Sequence, residues 1–151
     1  MSLKERIESD IKKAMLEKNK DRLRALRGIK SLILLAETEK GNQGGITEDL
    51  ELKILTKAAK QRRESAEVYE QQGRKDLQEI EVAELNVIEE YLPKQMSEDE
   101  VAEKVKLIIQ QVGASGPQDM GKVMGMASKE LTGMVDGKIL SFIVKSLLNK
   151  A

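Results

Sequence analysis

The chain has 151 residues, enough for one ordinary domain or two small ones with a self-supporting core. Its 26 basic and 26 acidic side chains cancel, which excludes the net field of a histone-like or membrane-coating protein, so any nucleic-acid affinity has to come from a local patch. Cysteine and histidine are both absent, and only Tyr69, Tyr91 and Phe142 are aromatic. Disulfides, thiolate or imidazole metal sites and the commonest general base are thereby excluded, and a base-stacking platform has almost nothing to be built from.

Leu3, Ile7, Ile11 and Ala14 or Met15 recur at helical spacing behind a Ser2 to Glu5 capping box, which predicts a first helix ending near Asn19. Asp21 is the expected cap of a second helix with Leu23, Leu26, Ile29, Ile33 and Ala36 as its apolar stripe, stopped by Gly41 in a left-handed turn. Gly41 to Gly45 reads as the most flexible stretch of the first half. Thr47 opens the longest helix, which runs to Gly73 and carries Lys57, Lys60, Arg62, Arg63 and Glu64 among its apolar positions. A further box, Asp76 to Glu79, predicts a fourth helix that stops before Pro93.

Pro93 to Met96 is the predicted linker. Residues 1 to 93 hold 18 basic and 19 acidic side chains, leaving 8 and 7 for residues 94 to 151, which also hold most of the methionine. The expected organisation is a domain over 1–93 and a smaller one over 97–151. In the second, a Ser97 to Glu100 box opens a helix with Val101, Val105, Ile108, Ile109 and Val112, closed by Gly113. A shorter helix carries Met120, Met124, Ala127 and Leu131, and Asp136 is placed to cap a last one through Ile139, Leu140, Ile143, Leu147 and Leu148. No segment has strand period, so the fold class is all-α: long antiparallel helices followed by a three-helix tail. No segment approaches the length of a membrane span and the amino terminus lacks an apolar leader, from which no membrane association and a cytoplasmic location are expected.

Gly116 to Val123 has the glycine and lysine spacing of a phosphate-binding P-loop, with valine where the magnesium-binding hydroxyl belongs, and Gly133 to Lys138 is one residue too short for the same pattern. A helix rather than a strand leads into the first of these, so nucleotide hydrolysis is not expected. The plain reading makes Gly121 and Gly125, four apart, the place where another helix backbone approaches closely, with Gly133 and Gly137 as stop and start signals. A second reading keeps the phosphate: Lys122, Lys129 and Lys138 supply charge for an RNA backbone near helix starts, although Asp119 and Asp136 as caps would occupy the same amides. In the first domain Lys20, Arg24, Arg27 and Lys30, then Lys60, Arg62 and Arg63, are further basic candidates. The plain reading pairs Lys60 and Arg63 with Glu64 and Glu67 within one helix, and leaves Glu79, Glu81, Glu84, Glu89 and Glu90 as a solvated face rather than a metal or acid–base cluster.

Several short words in order, Lys60-Gln61-Arg62-Arg63-Glu64-Ser65, Gly73-Arg74, Asp76-Leu77, Glu84-Leu85, Glu90-Tyr91-Leu92-Pro93 with Gln95, Asp119 to Gly125, and Asp136-Gly137-Lys138, resemble the GatB/YqeY group and its stand-alone YqeY-like members. The resemblance spans nearly the whole chain. It implies an all-helical protein similar to the carboxy-terminal part of the B subunit of the tRNA-dependent amidotransferase, an enzyme that amidates misacylated Glu-tRNA or Asp-tRNA with glutamine, and whose tail helps engage tRNA. The family label would be carbon–nitrogen ligase with glutamine as amido donor, but the kinase, transamidase and amidase centres lie in parts this chain does not match. The expectation is therefore a non-catalytic tRNA-interacting protein without cofactor or metal, using Lys122, Lys129 and Lys138 first and Arg62 and Arg63 second. The alternative is a module that docks on amidotransferase or aminoacyl-tRNA synthetase subunits.

Overall fold

The computed structural model describes residues 1–39, 41 and 45–150, and these contain seven α-helices and no strand. By internal packing the chain falls into two compact units, Met1–Pro93 and Lys94–Ala151.

The first unit holds α1 (Leu3–Leu16), α2 (Lys20–Thr38), α3 (Glu48–Gln71) and α4 (Lys75–Glu89). Ser2 accepts from the Glu5 amide to start α1, and Thr47 accepts from the Leu50 amide to start α3, as their sequence positions predict. The α1–α2 junction differs from expectation. α1 stops at Leu16, Lys18 takes the left-handed conformation at φ 58°, and Asn19, not Asp21, caps α2 by accepting from the Arg22 amide. Lys18 and Asn19 amides return to the Met15 and Ala14 carbonyls, the double closure that usually employs glycine, as it does at Gly73 and Gly113 here. α2 ends at Thr38, ahead of Gly41, and the flexible stretch expected at 41–45 falls partly outside the described residues. At α4 the Asp76 box does not form. Arg74 stands at the cap without a side-chain bond, and the Asp76 carboxylate instead accepts twice from the Arg74 guanidinium, at 3.1 and 3.0 Å.

α4 packs against both α2 and α3, and α1 against α2, around a core that includes Ile7, Leu26, Ile29, Ile33, Leu55, Ala58 and Ile88. α2 and α3 touch one another only sparingly. Just past α4, the buried Tyr91 ring lies 5.1 Å from the Arg6 guanidinium, and its hydroxyl donates to the Asp10 carboxylate on α1. Burial first, then that hydrogen bond, pushes the Tyr91 phenol well above its ordinary pKa.

The second unit is α5 (Glu98–Val112), α6 (Met120–Glu130) and α7 (Gly137–Lys150), with a 3₁₀ turn at Pro117–Asp119 leading into α6. Each of the three helices packs on the other two around Val101, Val105, Ile108, Val123, Ala127, Leu140, Val144 and Leu148. Both halves of the Ser97–Glu100 box are present, and Gly113 closes α5 at φ 67°. The Ser97 backbone amide, then the Ser97 side chain, holds the Glu100 carboxyl below its ordinary pKa. The expected linker is partly fastened to this unit: the Gln95 side chain donates to the Gly133 carbonyl at 2.7 Å and the Met96 amide to the Met134 carbonyl at 2.9 Å.

Candidate nucleic-acid interface

The buried edge of α6 is Val123 and Ala127, with Met120 and Met124 partly covered beside them. That phase turns the other side of the helix outward, and Gly121, Lys122, Gly125, Ser128 and Lys129 all lie exposed on it. A methyl group added at Gly121 or Gly125 would meet no atom within 4 Å. The close helix approach expected at these glycines is therefore absent from the structure. Spacing identified their shared face but not that it points to solvent. Gly133, at φ 76°, does provide a turn after α6, and Gly137 begins α7.

Lys122 and Lys129 form no ion pair among the described residues, and Glu130 reaches instead to Lys104 on α5 at 3.8 Å. Lys138 is exposed at the start of α7, where its amide donates to the Asp136 carboxylate at 2.8 Å. Asp119 does not cap α6; its carboxylate accepts from the Ser115 amide at 2.9 Å. The P-loop resemblance of 116–123 thus ends in a 3₁₀ turn between helices, with no strand feeding it.

Charge is divided within this unit. α5 begins with Glu98, Asp99 and Glu100, whereas α7 carries Lys138, Lys145 and Lys150 and no acidic residue at all. On α7 the stripe Leu140, Ile143, Val144 and Leu148 turns inward and Phe142 is left 71% exposed. Sequence reasoning passed over Phe142. The signal was available, since it stands off the apolar stripe of its own helix.

Of the first-unit candidates, Arg24, Lys30, Arg62 and Arg63 have other employment, whereas Lys20, Arg27 and Lys60 lie exposed. Arg62 reaches across to α4, 3.0 Å from Glu81 and 3.3 Å from Glu84, and Arg24 on α2 approaches the same Glu84 at 3.6 Å. Arg63 lies 3.6 Å from Glu89, and Arg22 donates to Glu90 at 2.6 Å. Glu81 and Glu84 are only 14% and 15% exposed. Glu81, Glu84 and Glu89 therefore belong to an interhelical seam rather than to the solvated face expected, whereas Glu79 and Glu90 do lie exposed. A rule confined to neighbours on one helix does not see such pairs.

The family described as "Yqey-like protein" matches residues 4–148. Three fungal relatives carry the name "Altered inheritance of mitochondria protein 41, mitochondrial". That of Clavispora lusitaniae is 37% identical over 109 residues, covering 70% of this chain and 62% of the relative. That of Meyerozyma guilliermondii is 32% identical over 126 residues, 82% of this chain and 65% of the relative. That of Pyrenophora tritici-repentis is 33% identical over 142 residues, 90% of this chain and 75% of the relative. The chain thus spans less than two thirds of the length of the first two.

These names overturn the expected cytoplasmic location, because the relatives are mitochondrial by name. An apolar leader is a signal for secretion alone; mitochondrial addresses are amphipathic and arginine-rich, and charge balance does not report on them. As for membranes, no helix among the described residues is long and apolar enough to cross one.

Proposed function

Because the chain belongs to the YqeY-like family, we propose that it is a non-catalytic helical protein that engages tRNA through the basic side of its second unit. The observation that supports this reading is the exposed face of α6, where Lys122 and Lys129, seven residues apart, are left unpaired among the described residues. Lys138 extends the same charge to the start of α7. Lysines so arranged neutralise backbone phosphates without reading bases, and binding of that kind weakens steeply with salt. Arg62 and Arg63 are secondary candidates, since a phosphate has to compete with Glu81, Glu84 and Glu89 for them.

Filter binding with unfractionated tRNA, at low and then moderate salt, tests the reading. Replacing Lys122, Lys129 and Lys138 together by alanine is expected to weaken binding at least tenfold at low salt. The slope of log affinity against log salt should flatten by about 0.7 to 0.9 for each phosphate that is no longer neutralised. No affinity at low salt, or an affinity the triple variant leaves intact, rejects it.

One observation favours docking on amidotransferase or synthetase subunits as a second reading. A groove of about 300 Å³ between α2 and α3 is lined by Leu32, Leu35, Ala36, Leu50 and Ile54, and Leu35 is 62% exposed beside it. A protein partner that copurifies after nuclease treatment, and no longer does so with Leu35→Asp, would favour that reading over the first.

A further inference from the structure

We propose that Phe142 is a base-stacking residue: its exposed ring receives an unpaired base of an RNA whose neighbouring phosphates lie on Lys138 and Lys145. The inference rests on the reading of the second unit as an RNA-contacting one and adds the residue that would touch a base.

The chain has three aromatic side chains, and two are engaged within the first unit's helices or its core. Tyr91 is buried and bonded to Asp10, and Tyr69 is partly covered on α3. Phe142 is the exception, with 71% of its surface in water, on a helix whose other large apolar residues are buried or half-buried. Leaving a ring of this size exposed forgoes the burial that a position one residue along, at Ile143, obtains.

Its surroundings select the occupant. On a helix, positions four before and three after Phe142 stand on its own side, and these are Lys138 and Lys145, both exposed. Asn149, also exposed, lies seven residues on along the same face and adds an amide able to bond a base edge or a phosphate. Asp136 stands ahead of α7 with its carboxylate on the Lys138 amide, and α7 itself carries no acidic residue. A π-face between cations is the arrangement by which single-stranded nucleic acid is held with little sequence preference. An apolar protein partner would use the ring but has no need of lysines on both sides of it.

The chain contains no tryptophan, so Phe142→Trp introduces a single indole reporter at the site without touching the core. Titration of that variant with oligouridine and with unfractionated tRNA is expected to quench its emission, as a stacked base does. Phe142→Ala is expected to weaken tRNA binding roughly tenfold while leaving the salt slope unchanged, because stacking releases no counterions. Lys145→Ala should do the reverse and flatten the slope by about 0.7 to 0.9. Circular dichroism of each variant checks that the helices are kept. If wild-type chain binds tRNA but Phe142→Ala binds equally well and the indole is not quenched, the stacking role is overturned and the ring is left to a protein contact. If wild-type chain binds no tRNA at low salt, the RNA reading of the unit falls and this inference with it.

Discussion

Tyr91 joins the end of α4 to α1 through a single hydroxyl, with Asp10 accepting from it and Arg6 beneath the ring. The free phenol titrates at 10.0 and the folded one higher, so the fold favours the neutral form. Its contribution to stability is full below the unfolded value and is lost as pH rises toward the folded one. The unfolding midpoint in urea should therefore fall more between about pH 9 and about pH 11 for wild-type chain than for Tyr91→Phe, which itself costs about 1 kcal/mol at neutral pH through the missing hydrogen bond. Parallel falls in the two proteins would remove the tyrosine from the explanation. Little of this was open to sequence reading. Asp10 and Tyr91 are 81 positions apart, and no local rule pairs them.

Among the elements, α6 shows best where local pattern ends. Its helical period is readable from Met120, Met124, Ala127 and Leu131, although the fully buried Val123 was not among the apolar positions so read, and caps such as Ser97 and Thr47 are chemical signals that the structure repeats. The direction its glycines face is set by which side α5 and α7 cover, and that is tertiary information. It also reverses the expected effect of substitution. A glycine that admits a neighbouring backbone loses stability when replaced, but Gly125 sits inside a helix with open space at its missing Cβ. Gly125→Ala should stabilise the protein by about 0.5 to 1 kcal/mol, read as a higher thermal midpoint. A lower midpoint would return the glycine to a packing role. The α3–α4 seam is the counterpart. Arg62, Glu81 and Glu84 were visible as charges, but their meeting depends on a hairpin of helices that pattern alone does not orient.

At the scale of the molecule, each unit has its own buried cluster, one around Leu26, Ile29 and Leu55 and the other around Val105, Val123 and Val144. Leu26→Ala, at a fully buried site, is expected to cost about 2 to 5 kcal/mol. Hydrogen exchange should show the weakening across α1 to α4 while the amides of α5 to α7 keep their protection; equal weakening in both units would mean that they unfold as one. Charges thin out along the sequence from residue 94, where the second compact unit begins. The division of charge inside the second unit has a consequence for kinetics. A chain of zero net charge has no net field to draw a polyanion from a distance, and the field of a local patch is screened beyond a Debye length of roughly 8 to 10 Å. On the proposed reading, the acidic start of α5 against the lysines of α7 governs which way round the molecule lands rather than how often it collides. On the proposed reading, added salt shortens the lifetime of the complex far more than it slows its formation.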